Sequence, residues 1–594
     1  MTMNEMPGPG HNVWPFKLTA EKLAEILFWV LAVVLLFLNL GIDGLRGSEG
    51  RWADVVRLMI LNGDYLHPMI NYEAYFDKPL VSYWLIAGLG LITGSVTELM
   101  IRLPSAAAGL VTLWATRLIA SRFVDRATGI FAGWILLTAY SFAYWGRLGE
   151  ADMLNLAFST LAVGWYVIRR DKTDFGSYLL FGLLCAIGGQ TKGLSAVAVP
   201  VLAVLADIAV TRSWKKHLNW KLFAAGLVSL AVYLLPFLLA ATKKDYEDSG
   251  LALVFQENIQ RYFDSLDHKQ AWYAYFIHLP QLMLPWTPIL ILAIIASIRN
   301  WKKADHSERW ILVCIAVIFA VFSISDSKRV YYILPILPYC SILCAVFLLS
   351  ETAGILEKIR NIVLKIYFWL IPATAAALLG LTVYGYAFGR KIRVLRYGMR
   401  ESLQLVLPVM LLTALILLVI WALFCRKLAP QLFPNRETGR DFAACAGTCS
   451  VLLIAFFGIA MPLFSKMFRT EKPFFGQIVS LAGKYRIPKD RIYFFHHNYT
   501  NGSFYLKHER KIPVLDHEYT TKTKDLGTEL AKLLKDRQGQ RIMVIGQLRY
   551  FRKISSPELR QQILDRLNLI EPSGPAEKPK KNGKKYAVLI FPAP

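Results

Sequence analysis

The stretch NYEAYFDKPLVSYW, residues 71–84, sets the pair Asp77–Lys78 and a run of aromatics between two apolar regions. It is one of several polar clusters along a chain that is otherwise strongly apolar. Segment 47–68 carries Glu49, Arg51, Asp54 and Arg57 ahead of an amphipathic stretch. Glu49 and Asp54 are not spaced to share one helical face, so only one of them faces a given cavity. GRLGEADM places Glu150 and Asp152 at the mouth of an apolar helix, and GGQTKGLS sets Lys192 between two apolar helices with almost no loop. FSISDSKRVYY puts Lys328 beside Arg329, followed by Tyr331 and Tyr332, and segment 255–276 adds Arg261, His268 and Trp272. Charged side chains at membrane depth are costly unless paired or facing a watery cavity. Plainer roles stay open: a helix-capping carboxylate for Glu150 or Asp152, a snorkelling side chain for Lys192.

These types suggest one chemistry. Adjacent cations repel unless an anion lies beside them, and phosphate is the common reason. Arg51, Lys78, Arg261, Lys192, Lys328 and Arg329, with the Tyr331 hydroxyl, suit the phosphate head of a lipid whose tail stays in hydrocarbon. The carboxylates Glu49, Asp54, Glu150 and Asp152 are what glycosyl transfer from such a phosphate requires, one of them to orient or activate the acceptor. Tyr75, Tyr83, Trp272 and Tyr332 are expected to line the cavity. Asp77 would orient the phosphate, or share a divalent metal with His268; the sequence implies no other cofactor.

The elements that must position these residues are transmembrane. The chain has 594 residues, 55% of them hydrophobic, and runs of 17–22 apolar residues recur from about 23 to 463. Thirteen spans are expected, at about 23–42, 103–121, 127–146, 150–168, 175–190, 193–211, 221–241, 282–298, 308–324, 330–350, 363–388, 404–425 and 441–463. Segment 80–95 is short and glycine-rich. Treating it as a dipping element, not a span, puts the basic loops 116–126, 169–172, 211–217 and 299–303 in the cytoplasm. Segment 43–102 is then one long external loop, 242–281 another, and every polar cluster named above lies on that face. The net charge of +25 reads as membrane anchoring and gives no reason to invoke nucleic acid. The seven cysteines fall in apolar runs and read as buried thiols.

After about 464 helical and short buried-strand patterns alternate, which predicts a small external α/β domain over 464–594 beyond a transmembrane domain over 1–463. Between the last spans, GRKIRVLRYGMR, 389–400, places five basic residues on the external face, a contact suited to an anionic acceptor or to anionic lipid headgroups.

The ordered pieces EGRWADVVRLMILNGDY, YFDKPLVSYW, EADM, TKG, HKQAWYAYF…LPWT and FSISDSKRVYYILPILP resemble the GT-C glycosyltransferases of the protein O-mannosyltransferase superfamily, and among them the bacterial aminoarabinose transferases that modify lipid A. The resemblance implies a polytopic GT-C fold in the bacterial inner membrane with two juxtamembrane helices in the first loop. It also implies a polyprenyl-phosphate sugar donor and an active site in the periplasmic loops. Carried over by motif, Lys78, Lys192, Lys328 and Arg329 surround the donor phosphate, Asp152 is the second acidic motif, and Arg51 with its neighbouring acid forms the first. The family usually opens that motif with Asp-Glu, whereas this chain has Ser48-Glu49. The function expected is inverting transfer of a sugar such as 4-amino-4-deoxy-arabinose to lipid A or the lipopolysaccharide core. The alternatives are an envelope-glycan or protein O-mannosyl transferase and a lipid-linked saccharide flippase. A flippase would favour internal repeats and charge at the bilayer midplane.

Overall fold

The computed structural model describes residues 20–246, 252, 260, 269–350, 354–388, 399–423, 437–462, 471–519, 521, 525–568 and 586–591. A helix lies over each apolar segment of the sequence: α1 (Ala20–Phe37), α4 (Glu98–Phe123), α5 (Arg126–Thr138) with α6 (Tyr140–Trp145), α7 (Asp152–Arg169), α8 (Phe175–Gly189), α9 (Ser195–Thr211), α10 (Trp220–Ala240), α11 (Ala274–Leu282) with α12 (Thr287–Arg299), α13 (His306–Ile324), α14 (Leu337–Leu349), α15 (Ile355–Phe388), α16 (Met399–Leu423) and α17 (Glu437–Ala455). Among the described residues six helices are long and apolar enough to cross a membrane, or seven if the bent α11–α12 pair counts as one.

Burial separates central from peripheral helices. In the Val330–Leu349 segment 83% of the most apolar stretch is buried, against 22% in Ile355–Ala387. The first is surrounded by protein; the second leaves most of its apolar surface outward, as a membrane-facing helix does. Five of the cysteines sit buried in this interior, Cys449 is half-buried, all six are unpaired, and Cys425 lies outside the described residues.

Between α1 and α4 the chain forms α2 (Glu49–Asn62), a hairpin of β1 (Met69–Ile70) and β2 (Glu73–Ala74), and α3 (Val81–Thr93). The hairpin turns on Asn71 and Tyr72, both left-handed at φ 50° and 62°, the two-residue turn whose twist matches its strands. α2 and α3 share their own apolar cluster, including Trp52, Val56, Tyr83 and Ile86, which also takes in Phe504 from far along the chain.

The C-terminal part is a five-stranded sheet in the order β4-β3-β5-β7-β6. Its strands are β3 (Ile492–Phe495), β4 (Val514–Leu515), β5 (Ile542–Gln547), β6 (Leu567–Asn568) and β7 (Tyr586–Phe591). β3 runs parallel to β4 and β5, while β7 pairs antiparallel with β5 and β6. Ile492 and Phe494 enter one apolar layer, Tyr493 and Phe495 the other, as alternation along a strand buried on both faces requires. Around it lie α18 (Glu471–Lys484), α19 (Thr500–Leu506), α20 (Thr528–Asp536) and α21 (Pro557–Arg566).

This part docks on the first loop. Asn71 pairs its side-chain amide with the backbone of Ile512, both bonds at 2.8 Å. Arg57 donates to the His508 carbonyl at 2.8 Å, and Lys472 pairs with Glu98 at 2.7 Å. α19 lies so close to α2 that a Cβ on Gly50 would collide with the Asn501 side chain and come within 2.9 Å of its backbone nitrogen.

Candidate active site

Positioning begins with Glu49 in the first turn of α2. Its carboxylate accepts from Arg102 Nε at 2.8 Å and Nη2 at 2.7 Å, and from the backbone amides of Arg46 and Gly149 at 2.6 and 2.8 Å. Arg102 completes its own set on the carbonyls of Leu40, Asp43 and Gly44. A fully desolvated bidentate pair with every donor used is a clamp, here joining α2, α4 and the turn before α7. Both Glu49 oxygens are filled and the residue is 0% exposed, so it does not reach the cavity. Asp54 is also withdrawn: it accepts from Arg57 at 2.7 Å and from the Asn71 amide at 2.8 Å, pinning the hairpin turn.

That turn aims the next residues. Tyr75 donates to Asp77 at 2.9 Å and accepts from Arg51 at 3.2 Å, while Asp77 lies 3.5 Å from Arg51 and 3.4 Å from Lys78. Across from them Asp152 pairs with Lys192, whose ammonium sits 4.5 Å above the Tyr332 ring and 5.3 Å from the centre of the Tyr331 ring. Arg329 donates to the Tyr331 hydroxyl at 2.6 Å.

These groups surround a cavity of about 580 Å³. Of the residues expected there, Arg51, Tyr75, Asp77, Lys78, Glu150, Asp152, Lys192, Arg329, Tyr331 and Tyr332 line it. Five do not. Besides Glu49 and Asp54, Lys328 is 2% exposed and donates to the carbonyls of Gln270 and Ser325, bracing its own turn. Arg329 is extended, at φ −128° and ψ 153°, and extended backbone sends successive side chains to opposite sides. Only one of the two adjacent cations therefore faces inward. Tyr83 is buried against Trp52 beneath α2, and Trp272 is 68% exposed on the outer surface. Arg261 and His268 lie outside the described residues, as does 389–398 of the basic stretch. Among the described residues no group of three His, Cys, Asp or Glu could hold a metal ion.

Glu150 is the carboxylate with unusual surroundings. The Ser48 hydroxyl donates to it at 2.6 Å. Burial and the neighbouring Asp152 charge push its pKa up to about 7. Sequence reasoning did not foresee a second group of lining residues: Trp52 and Glu73 from the first loop, and Asn498, Thr500, His517, Glu518 and Tyr519 from the C-terminal part. The last five lie more than 400 residues from the first-loop residues they face; Asn498 and Thr500 belong to an Asn-x-Thr sequon that gave no hint of a cavity, and no motif marks His517, Glu518 or Tyr519.

Comparison with known proteins follows the same lines. A family model described as dolichyl-phosphate-mannose-protein mannosyltransferase matches residues 77–239. The undecaprenyl phosphate-alpha-4-amino-4-deoxy-L-arabinose arabinosyl transferase of Aeromonas salmonicida (strain A449) is 29% identical over 331 residues, covering 54% of this chain and 58% of that protein. The protein of the same name from Pectobacterium carotovorum subsp. carotovorum (strain PC1) is 30% identical over 380 residues, covering 61% and 66%. The chain thus matches about three fifths of the length of these relatives. The crystal structure of ArnT from Cupriavidus metallidurans bound to undecaprenyl phosphate superposes with a TM-score of 0.67 at 18% identity, covering 95% of this chain and 97% of that one. The archaeal oligosaccharyltransferase AglB from Archaeoglobus fulgidus gives 0.50 at 9% identity, over 91% and 72%. With its polar cavity at one end of an apolar helical bundle, the chain has the helical GT-C fold and resembles the aminoarabinose transferases that share it.

Proposed function

We propose that this protein is an inverting glycosyltransferase of the bacterial inner membrane. It moves a sugar such as 4-amino-4-deoxy-arabinose from a polyprenyl phosphate to lipid A or the lipopolysaccharide core. The observation that carries this reading is the convergence of Arg51, Lys78, Lys192 and Arg329, from four separate segments, on one cavity that also holds Glu150 and Asp152. Four cations facing one cavity favour an anion of more than one charge, and they stabilise a phosphate as it departs. Asp77 and Asp152 hold Lys78 and Lys192 in place until the donor arrives. Glu49 and Asp54 act through the elements they pin.

Thirteen spans, with the first loop and the domain 464–594 in the periplasm, place the cavity where such a donor presents its head. Support comes from the opposite end of the bundle. There Asp207 accepts from Arg170, at 2.7 and 3.0 Å, and from Tyr166, at 2.5 Å, and lies 2.6 Å from His306, close to the basic loops expected in the cytoplasm. Purified protein given a radiolabelled polyprenyl-phosphate sugar tests the function. Wild type transfers label to lipopolysaccharide, while Lys78→Ala and Asp152→Asn lose at least tenfold. Equal transfer by all three would refute the assignment of this cavity.

A further inference from the structure

The cavity has two chemically different walls. Its deep wall, from the first loop and the bundle, carries the four cations. Its outer wall, from the C-terminal part, contributes Asn498, Thr500, His517, Glu518 and Tyr519, and among the described lining residues no lysine or arginine comes from that side. Glu73 adds a second carboxylate on the first-loop side of the cavity. A phosphate entering along this wall would find no lysine or arginine among the described residues lining it, since Lys511 is already engaged by Glu73. A sugar ring needs none: an aromatic face, a carboxylate, an imidazole and an amide are the groups that hold hydroxyl-rich rings, by stacking and by paired hydrogen bonds.

The outer wall is held in shape. His497 Nδ1 lies 2.6 Å from Glu518, and its Nε2 meets the Tyr550 hydroxyl. The Tyr519 amide donates to His517 Nδ1 at 3.3 Å. Tyr519 is 86% exposed, and the Asn498 side-chain oxygen is buried without a hydrogen-bond partner among the described residues.

The deep wall supplies what a hydroxyl needs and a phosphate does not. Asp77 lies against Arg51 and Lys78, Asp152 is paired with Lys192, Glu73 with Lys511, and Glu518 with His497. Of the lining carboxylates on the first-loop and bundle side, Glu150 alone has no lysine or arginine within ion-pair distance among the described residues: the Ser48 hydroxyl donates to it, and Lys192 and Arg329 act on it only at longer range, while burial keeps the His497 beside Glu518 toward its neutral form. A phosphate acceptor is already ionised, whereas a hydroxyl must give up a proton to attack.

We infer that the acceptor is a hydroxyl of a second sugar, held on the outer wall by Glu518, His517 and Tyr519 and deprotonated by Glu150. This deepens the transferase reading and rests on it. In the step, the acceptor oxygen forms a bond to the anomeric carbon of the donor sugar as the bond from that carbon to the phosphate oxygen breaks. The bonding pair leaves with the phosphate, the acceptor proton passes to Glu150, and water later takes it. The products are a glycoside and the polyprenyl phosphate.

The test uses the full chain in lipid nanodiscs with a radiolabelled polyprenyl-phosphate sugar. Two acceptors are compared: lipopolysaccharide carrying its core, and the same material stripped of phosphate by hydrofluoric acid. The inference expects label on both, in an acid-stable glycosidic linkage. It expects Glu518→Ala and Tyr519→Ala to raise the acceptor KM about tenfold with binding of polyprenyl phosphate unchanged. Glu150→Gln should lower kcat at least a hundredfold with that binding intact. Label only on phosphate, absent from the stripped acceptor, overturns the inference and leaves the transferase reading standing. No label on either, with polyprenyl phosphate failing to bind, overturns both.

Discussion

At the scale of single residues, the telling contrast is between Glu49 and Glu150. Both sit next to motif residues, but one is locked between Arg102 and two backbone amides while the other keeps a single hydroxyl. Removing Arg102 strands a buried charge, so Arg102→Ala should cost about 3–5 kcal/mol and show as a collapsed melting temperature in detergent. Glu150 behaves differently with pH. A base must be unprotonated, so kcat/KM should rise as pH climbs through about 7 and be roughly a tenth of its plateau one unit below that. Ser48→Asp would set a second carboxylate against Glu150, disfavour its ionised form, and move the rising limb to higher pH, measurable in a pH–rate profile. The carboxylate-rich, cation-rich character of the site was legible from residue type and depth alone. Which acid is free was not. That depends on Arg102, a residue inside an apolar helix whose partner lies 53 positions away.

At the scale of elements, the helices follow the apolar runs closely because a membrane leaves the backbone few other ways to satisfy itself. The interruptions were not legible in the same way. The segment expected as one span over 127–146 ends and restarts at Ala139, and the one expected at 282–298 is preceded by α11 and bends by 116°. The Val330–Leu349 segment begins as a 3-10 turn over Val330–Ile336, with Pro335 inside it. Such breaks arise from packing against neighbours, which periodicity does not encode. Contact between α2 and α19 tests element-level reasoning directly. Gly50→Val has no room, so the C-terminal part should lift from the first loop and become susceptible to limited proteolysis while the helical bundle stays intact. Wild-type resistance in that variant would show that the contact is not needed for docking.

For the whole molecule, orientation is the property with the widest reach. Single cysteines placed at Tyr519 and at Asp171 should react with an impermeant thiol reagent from opposite sides of sealed vesicles, Tyr519 from the periplasmic side. Reaction from the same side would undo the thirteen-span arrangement. The helical bundle was readable from the apolar runs and the C-terminal α/β unit from alternating helical and strand patterns, whereas the pair of first-loop helices was implied by the resemblance. The two-walled shape of the cavity was not readable, since its far wall comes from a domain whose sequence shows only alternating helical and strand patterns. The cationic floor has a kinetic corollary. On the proposed transferase reading, a donor would reach it as a phosphodiester with one negative charge, and the spent carrier would remain as a monoester with nearly two. Arg51, Lys78, Lys192 and Arg329 would then grip what must leave more firmly than what arrives, and the reading predicts that escape of the used carrier into the bilayer, not bond breaking, limits turnover, seen as a burst of product in the first turnover.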